Sequence, residues 1–203
     1  MILSAAALWL DQSCAGFDQA ILGAFHTLQQ SPLHVVLDPL AVLLALLGKG
    51  GIALILLGLL LLALRPTRKL GLGVLLALAI GALCTNVLLK PLVDRPRPYA
   101  DEGRLLYQWW LEAGAHLESD ASFPSGHSTA AAAAMTALFF LGNRRKTWAC
   151  LLFALAMGLS RLYLAVHYPT DVLAGAALGA LCALGVLAVF HKLALPHLSR
   201  WKK

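Results

Sequence analysis

The sequence predicts an all-α integral-membrane helical bundle of five or six transmembrane helices, with an N-terminal amphipathic helix lying at the interface. Three observations carry this prediction. Apolar residues make up 60% of the chain and charged residues only 13%, against about 25% charged in a soluble domain, so too little polar surface exists to cover the chain in water. Apolar runs of spanning length recur, and only helices cross lipid in such runs because hydrocarbon leaves free backbone groups unpaired. Basic residues fall in short clusters between the runs, as the positive-inside rule expects. The net charge of +6 therefore reads as membrane topology, and nucleic acid is not an expected partner. The 203 residues are read as a single domain with its core over residues 45–190.

In chain order, residues 1–32 place Phe17, Ile21, Leu22, Phe25 and Leu28 at helical spacing, with Asp18, Gln19 and His26 between them. This is the interfacial amphipathic helix. The first ten residues lack a basic flank and are followed by Asp11, so no cleavable signal peptide is expected. The next apolar stretch, from Val35 to Leu64, is broken by Gly48-Lys49-Gly50-Gly51. Residues 51–65 read as a span, and 33–48 fit either a span or an interfacial helix. Residues 70–89, 126–141, 147–166 and 171–190 are the other spans. The polar stretch 90–125 holds Tyr107, Trp109 and Trp110, rings that favour the headgroup level, and reads as an ordered extramembrane loop. The four cysteines show no CxxC pair and read as small apolar filler.

Orientation follows from the clusters Arg65, Arg68 and Lys69, then Arg144, Arg145 and Lys146, then Lys192, Arg200, Lys202 and Lys203. Counting spans puts all three on one face, which should be cytoplasmic. Lys90, Arg95, Arg97 and Arg104 then stand on the opposite face against the bias. Cations kept there call for a functional reason.

Three segments on that face carry chemistry: Lys90 to Pro98, Pro124-Ser125-Gly126-His127, and Ser160-Arg161 through His167 to Asp171. Polar groups at such depth are costly and mark function. Lys90, Arg97 and Arg161 are three permanent cations suited to phosphate oxygens. Ser125-Gly126-His127 opens a helix, whose free N–H groups and dipole favour an anion. Asp171 lies four residues after His167, within reach of one ring nitrogen, which leaves the other as a nucleophile. His127 is a second imidazole suited to general acid work. Taken singly, these residues read as snorkelling arginines, a structural histidine and a helix cap; their conjunction on one face does not. The sequence has no HExxH, no acidic cluster with ligand spacing and no phosphate-binding glycine loop followed by Lys-Ser. Neither a metal nor a cofactor is expected.

These segments resemble the signature of the type 2 phosphatidic acid phosphatase superfamily. That signature is a lysine seven residues before Arg-Pro, then Pro-Ser-Gly-His, then Ser-Arg-x5-His-x3-Asp, and the chain matches each position. The resemblance implies that His167 is the phosphoryl-accepting nucleophile, Asp171 its orienting carboxylate, and His127 the acid that protonates the leaving group. It implies that Lys90, Arg97, Arg161, Ser125 and the Gly126 backbone hold the phosphate, without a metal. The expected substrate is a lipid phosphate in the bilayer. Undecaprenyl diphosphate is favoured on size and topology, with phosphatidylglycerophosphate and phosphatidic acid as alternatives. The expected location is the inner membrane, with the site facing the extracytoplasmic side. A phosphotransferase on the same scaffold and a non-catalytic transporter are the rival readings, and the oligomeric state is left open.

Overall fold

A computed structural model describes residues 4–192, which are helical with connecting loops. The basic residues Arg200, Lys202 and Lys203 lie outside them. Two helices replace the single N-terminal helix expected from sequence: α1 (Ala5–Ser13) and α2 (Ala15–Gln29). The Ser4 hydroxyl caps α1, accepting from the Ala7 N–H at 3.0 Å.

Helices α3 (His34–Gly48) and α4 (Ile52–Ala63) are joined by the turn Lys49–Gly51. Gly50 and Gly51 there have φ of 60° and 68°, conformations that a side chain disfavours. Packing joins 33–48 to the helix that follows it. Asp38 bonds the Tyr163 hydroxyl at 2.5 Å near the end of α9 (Arg144–Tyr163). Leu44 packs deeper, on Met157, and α4 carries on in the same sense against α5 (Arg68–Ala82). One broken apolar segment, His34–Ala63, therefore takes the place of an isolated span at 51–65. The next segment also runs past its expected end. It continues from α5 through a π-helical stretch, Leu83–Leu89, into α6 (Lys90–Val93). Segments 34–63, 65–93 and 169–192 are long and apolar enough to cross a membrane, and α8 (Gly126–Leu141) is a shorter apolar helix. Ile52, Leu56, Leu59 and Leu60 of α4 are exposed, as side chains facing lipid would be.

Helix α8 sits at the centre, packed on α5, α9 and α10 (Pro169–Lys192). Its alanine run, 130–134, leaves room for close approach. Gly175 and Gly179 of α10 lie directly against the α8 backbone at Ser125 and Thr129, the small-xxx-small contact that brings membrane helices together. Lys69, Arg144 and Lys192 line one groove at one end of the bundle. At the other end the 94–125 loop, with α7 (Leu105–Glu112), packs with α2 over the ends of α9 and α10.

Candidate active site

At this second end lies a cavity of about 600 Å³ lined by Lys90, Arg97, Gly126, His127 and His167. Its opposite wall is apolar, made by Ile55, Leu75, Leu78 and Ala79 of α4 and α5. Each polar group arrives from a different element. Lys90 follows the π-helical stretch, and its N–H bonds the Thr85 carbonyl; such widened turns recur at functional sites. Arg97 comes from the loop after α6. Gly126 and His127 open α8. His167 stands in the turn between α9 and α10, where Ala165 at φ 51° ends α9. The Ala165 N–H bonds Leu162 O at 2.9 Å and the Val166 N–H bonds Arg161 O at 3.2 Å, the pairing of a Schellman cap.

The two nitrogens of His167 face different partners. Arg97 Nη1 lies 3.0 Å from Nε2 and also donates to the Val166 carbonyl at 2.8 Å. A guanidinium only donates, so Nε2 carries a lone pair that accepts from Arg97, itself a residue of the cavity wall, and Nδ1 carries the proton. Nδ1 faces the Asp171 carboxylate at 3.6 Å, too far for a direct hydrogen bond. The Ser122 hydroxyl bridges them, 3.4 Å from Nδ1 and donating to Asp171 Oδ2 at 2.5 Å. Ser122 is fully buried, and its N–H is tied to the Arg95 carbonyl at 2.8 Å. Burial and the neighbouring Arg97 charge push the His167 imidazole down to about 3, with Asp171 opposing them. Both causes favour the neutral ring at ordinary pH.

The cations Lys90, Arg97 and Arg161 are met by carboxylates of the loop. Asp120 bonds Lys90 and also accepts from Arg97 Nη2 at 2.5 Å. Glu118 lies 3.4 Å from Arg161 Nη1. Burial alone would raise the Asp120 carboxyl, but Lys90 and Arg97 hold it below the usual carboxylate range. Arg161 and Ser125 do not line the cavity. Ser125 is buried as the N-cap of α8, with its hydroxyl engaged by the Ser128 N–H at 3.4 Å and the Ser128 hydroxyl at 3.0 Å. Arg161 is buried beside the site, and its Nη2 has no hydrogen-bond partner among the described residues. An unpaired buried guanidinium N–H is costly and is ready for an anion oxygen. His127 Nε2 donates to the Ala45 carbonyl of α3 at 3.2 Å, which leaves Nδ1 for proton transfer.

Sequence reasoning assigned no role at the site to Ser122, Asp120, Glu118 or the Ala45 carbonyl. Arg95 carried one signal, a cation against the charge bias. Asp18 was read as part of a polar helix face, yet it is 1% exposed.

Residues 70–194 match the PAP2 superfamily. The chain belongs to that superfamily. Every motif residue from Lys90 to Asp171 lies inside the matched stretch, whereas Asp18 and Ala45 precede it. Among PAP2 relatives, the chain is 45% identical over 80 residues to the bacitracin transport permease protein BcrC of Bacillus licheniformis, covering 39% of each chain. It is 36% identical over 94 residues to the undecaprenyl-diphosphatase BcrC of Bacillus subtilis, covering 46% of this chain and 45% of that one. These alignments span less than half the length of either relative. The crystal structure of a transmembrane PAP2 phosphatidylglycerolphosphate phosphatase from Bacillus subtilis superposes with a TM-score of 0.67 at 29% identity, covering 92% of this chain and 90% of that one. The chain is an integral membrane protein of this fold.

Proposed function

We propose that the chain is a metal-independent lipid phosphatase, acting through a phosphohistidine at His167. One observation carries the reading: His167 Nε2 is turned to Arg97 at 3.0 Å, with Nδ1 directed at Ser122 and Asp171. The lone pair of Nε2 attacks phosphorus. The N–P bond forms as the bond to the leaving oxygen breaks, and His127, as an imidazolium carrying a proton on Nδ1 as well as on Nε2, protonates that oxygen. Water then attacks the phosphohistidine, His127 takes its proton, and orthophosphate leaves. Lys90, Arg97, Arg161 and the N–H groups at Gly126 stabilise the charge on the equatorial oxygens, which is most of what phosphoryl transfer asks of a protein. Ser125, as the buried helix cap, would act by fixing those N–H groups.

The substrate in this reading is a lipid phosphomonoester or diphosphate. The apolar wall of Ile55, Leu75, Leu78 and Ala79 beside the cations suits a phosphate carrying a hydrocarbon chain. Undecaprenyl diphosphate is favoured, in keeping with the activity named for the Bacillus subtilis relative; phosphatidylglycerophosphate and phosphatidic acid are the alternatives. The groove with Lys69, Arg144 and Lys192 would face the cytoplasm and the cavity the outer side of the inner membrane, within one domain. The test is release of orthophosphate by the purified protein from all three lipids in EDTA, with acid-labile phosphohistidine trapped after a quench. Release from the diphosphate at the highest kcat/KM is expected. No release from any of them, or label retained in His167→Ala, sinks the reading.

A further inference from the structure

We propose that Arg95, clamped by Asp18 of α2, is a positioning residue for phosphoryl transfer that fixes Asp171 and, through it, the orientation of His167. The proposal rests on His167 as the nucleophile. Arg95 is 1% exposed and spends its donors on four side chains. Nη1 donates to Asp171 Oδ1 and to Thr170 Oγ1, both at 2.8 Å. Nη2 donates to Asp18 Oδ2 at 2.9 Å, and Nε to Asp11 Oδ1 at 3.0 Å. The guanidinium lies 3.8 Å from the centre of the Tyr168 ring, a favourable cation–π contact. Asp18 in turn accepts the Thr170 N–H at 2.9 Å and the Thr170 hydroxyl at 2.8 Å. A carboxylate from α2 thus caps the first turn of α10, the turn that carries Asp171.

The geometry divides the oxygens of Asp171. Oδ1 belongs to Arg95, while Oδ2 accepts from Ser122 and from the Tyr168 N–H at 2.9 Å. With both oxygens held, the carboxylate cannot rotate, so Oδ2 stays directed at the Nδ1 side of His167. Three carboxylates, Asp11, Asp18 and Asp171, surround one guanidinium. The cluster's excess negative charge favours the positive charge that builds on the imidazole as Nε2 attacks. That charge is absent from the substrate complex and present in the transition state and the phosphoenzyme, so the cluster should act on kcat and not on substrate affinity. The N-terminal helices, which precede the matched family segment, would then be a working part of the site.

The test uses the full chain in detergent with an aryl phosphate, resolving the burst of phosphoenzyme formation from steady turnover. Asp18→Asn and Arg95→Lys should each slow the burst by about tenfold or more while KM stays within about threefold. Asp18→Glu should recover part of the loss. The double variant Asp18→Asn/Asp171→Asn should be no slower than Asp171→Asn alone, because both changes act on one unit. If either single variant is too unstable to purify, the other and the double-variant comparison decide. A wild-type burst in Asp18→Asn or Arg95→Lys, a loss confined to KM, or losses that multiply in the double variant would overturn the proposal. A persistent burst in His167→Ala would instead overturn the reading of the nucleophile on which it rests.

Discussion

His167 and His127 are both imidazoles on one cavity, and their surroundings differ. His167 is buried, its Nε2 turned to Arg97 and its Nδ1 to Ser122 and Asp171; His127 is part-exposed and bonded to a backbone carbonyl. Removing a nucleophile abolishes every phosphoenzyme, so His167→Ala should be inactive on lipid and aryl phosphates alike. General acid help is worth about 10²–10⁴-fold and matters least for a good leaving group. His127→Ala should therefore lose the lipid reaction but keep a burst from an aryl phosphate, with Asp171→Asn falling between the two. A burst from His167→Ala and none from His127→Ala would reverse the assignment. The pH dependence follows from the direction of the shift at His167. A pKa lowered to about 3 keeps the ring unprotonated well below the ordinary value of about 6.5. The aryl phosphate burst should not fall as pH drops through that ordinary value, as it would for an exposed imidazole. Rapid-quench rates across the range check this.

At the scale of elements, the loop between α7 and α8 places carboxylates on the cations of the proposed site. Asp120 sits on Lys90 and Arg97, and Glu118 on Arg161, so in the proposed reaction a phosphate would displace carboxylates to reach the cations. Asp120→Asn keeps the shape and removes the charge. It should tighten orthophosphate and vanadate inhibition by about tenfold, the scale of one lost charge-assisted contact; weaker inhibition would mean that Asp120 helps to bind the anion. The α8–α10 contact makes a second prediction. Gly179 lies against the α8 backbone, so Gly179→Val should force the helices apart and destabilise the fold by about 1–3 kcal/mol. Because Ser125 N–H bonds the Asp171 carbonyl at 3.0 Å across that same contact, activity should fall at temperatures where the protein is still folded. Thermal denaturation and phosphate release on one preparation separate the two effects.

The whole molecule is polarised along its bundle axis. Lys69, Arg144 and Lys192 share one end, and the cavity, the 94–125 loop and the N-terminal helices occupy the other. Single cysteines at Gln108 and Asn143, in a cysteine-free background, should differ in labelling by an impermeant reagent in intact cells. Gln108 should react and Asn143 should not. The reverse would invert the orientation and remove the topological argument for an outward-facing lipid carrier.

Composition and hydropathy by themselves determined an all-helical membrane protein, because lipid leaves the backbone no other solution. Motif spacing by itself determined that Lys90, Arg97, His127, His167 and Asp171 belong together, because each falls where an apolar run meets the same loop side. Boundaries were less legible. The break at Gly48–Gly51 looked like the start of a span, with 33–48 left open, and only the packing of Leu44 on Met157 and of α4 on α5 shows one segment continuing through it. The couplings that finish the site were not legible at all. Ser122 lies 49 residues from Asp171, Arg95 77 from Asp18, and Asp18 152 from Thr170. No local period or spacing connects such pairs. An aspartate on an amphipathic helix has the same signature whether it meets water or a buried guanidinium, and the folding of α2 onto α10 is what decided between them.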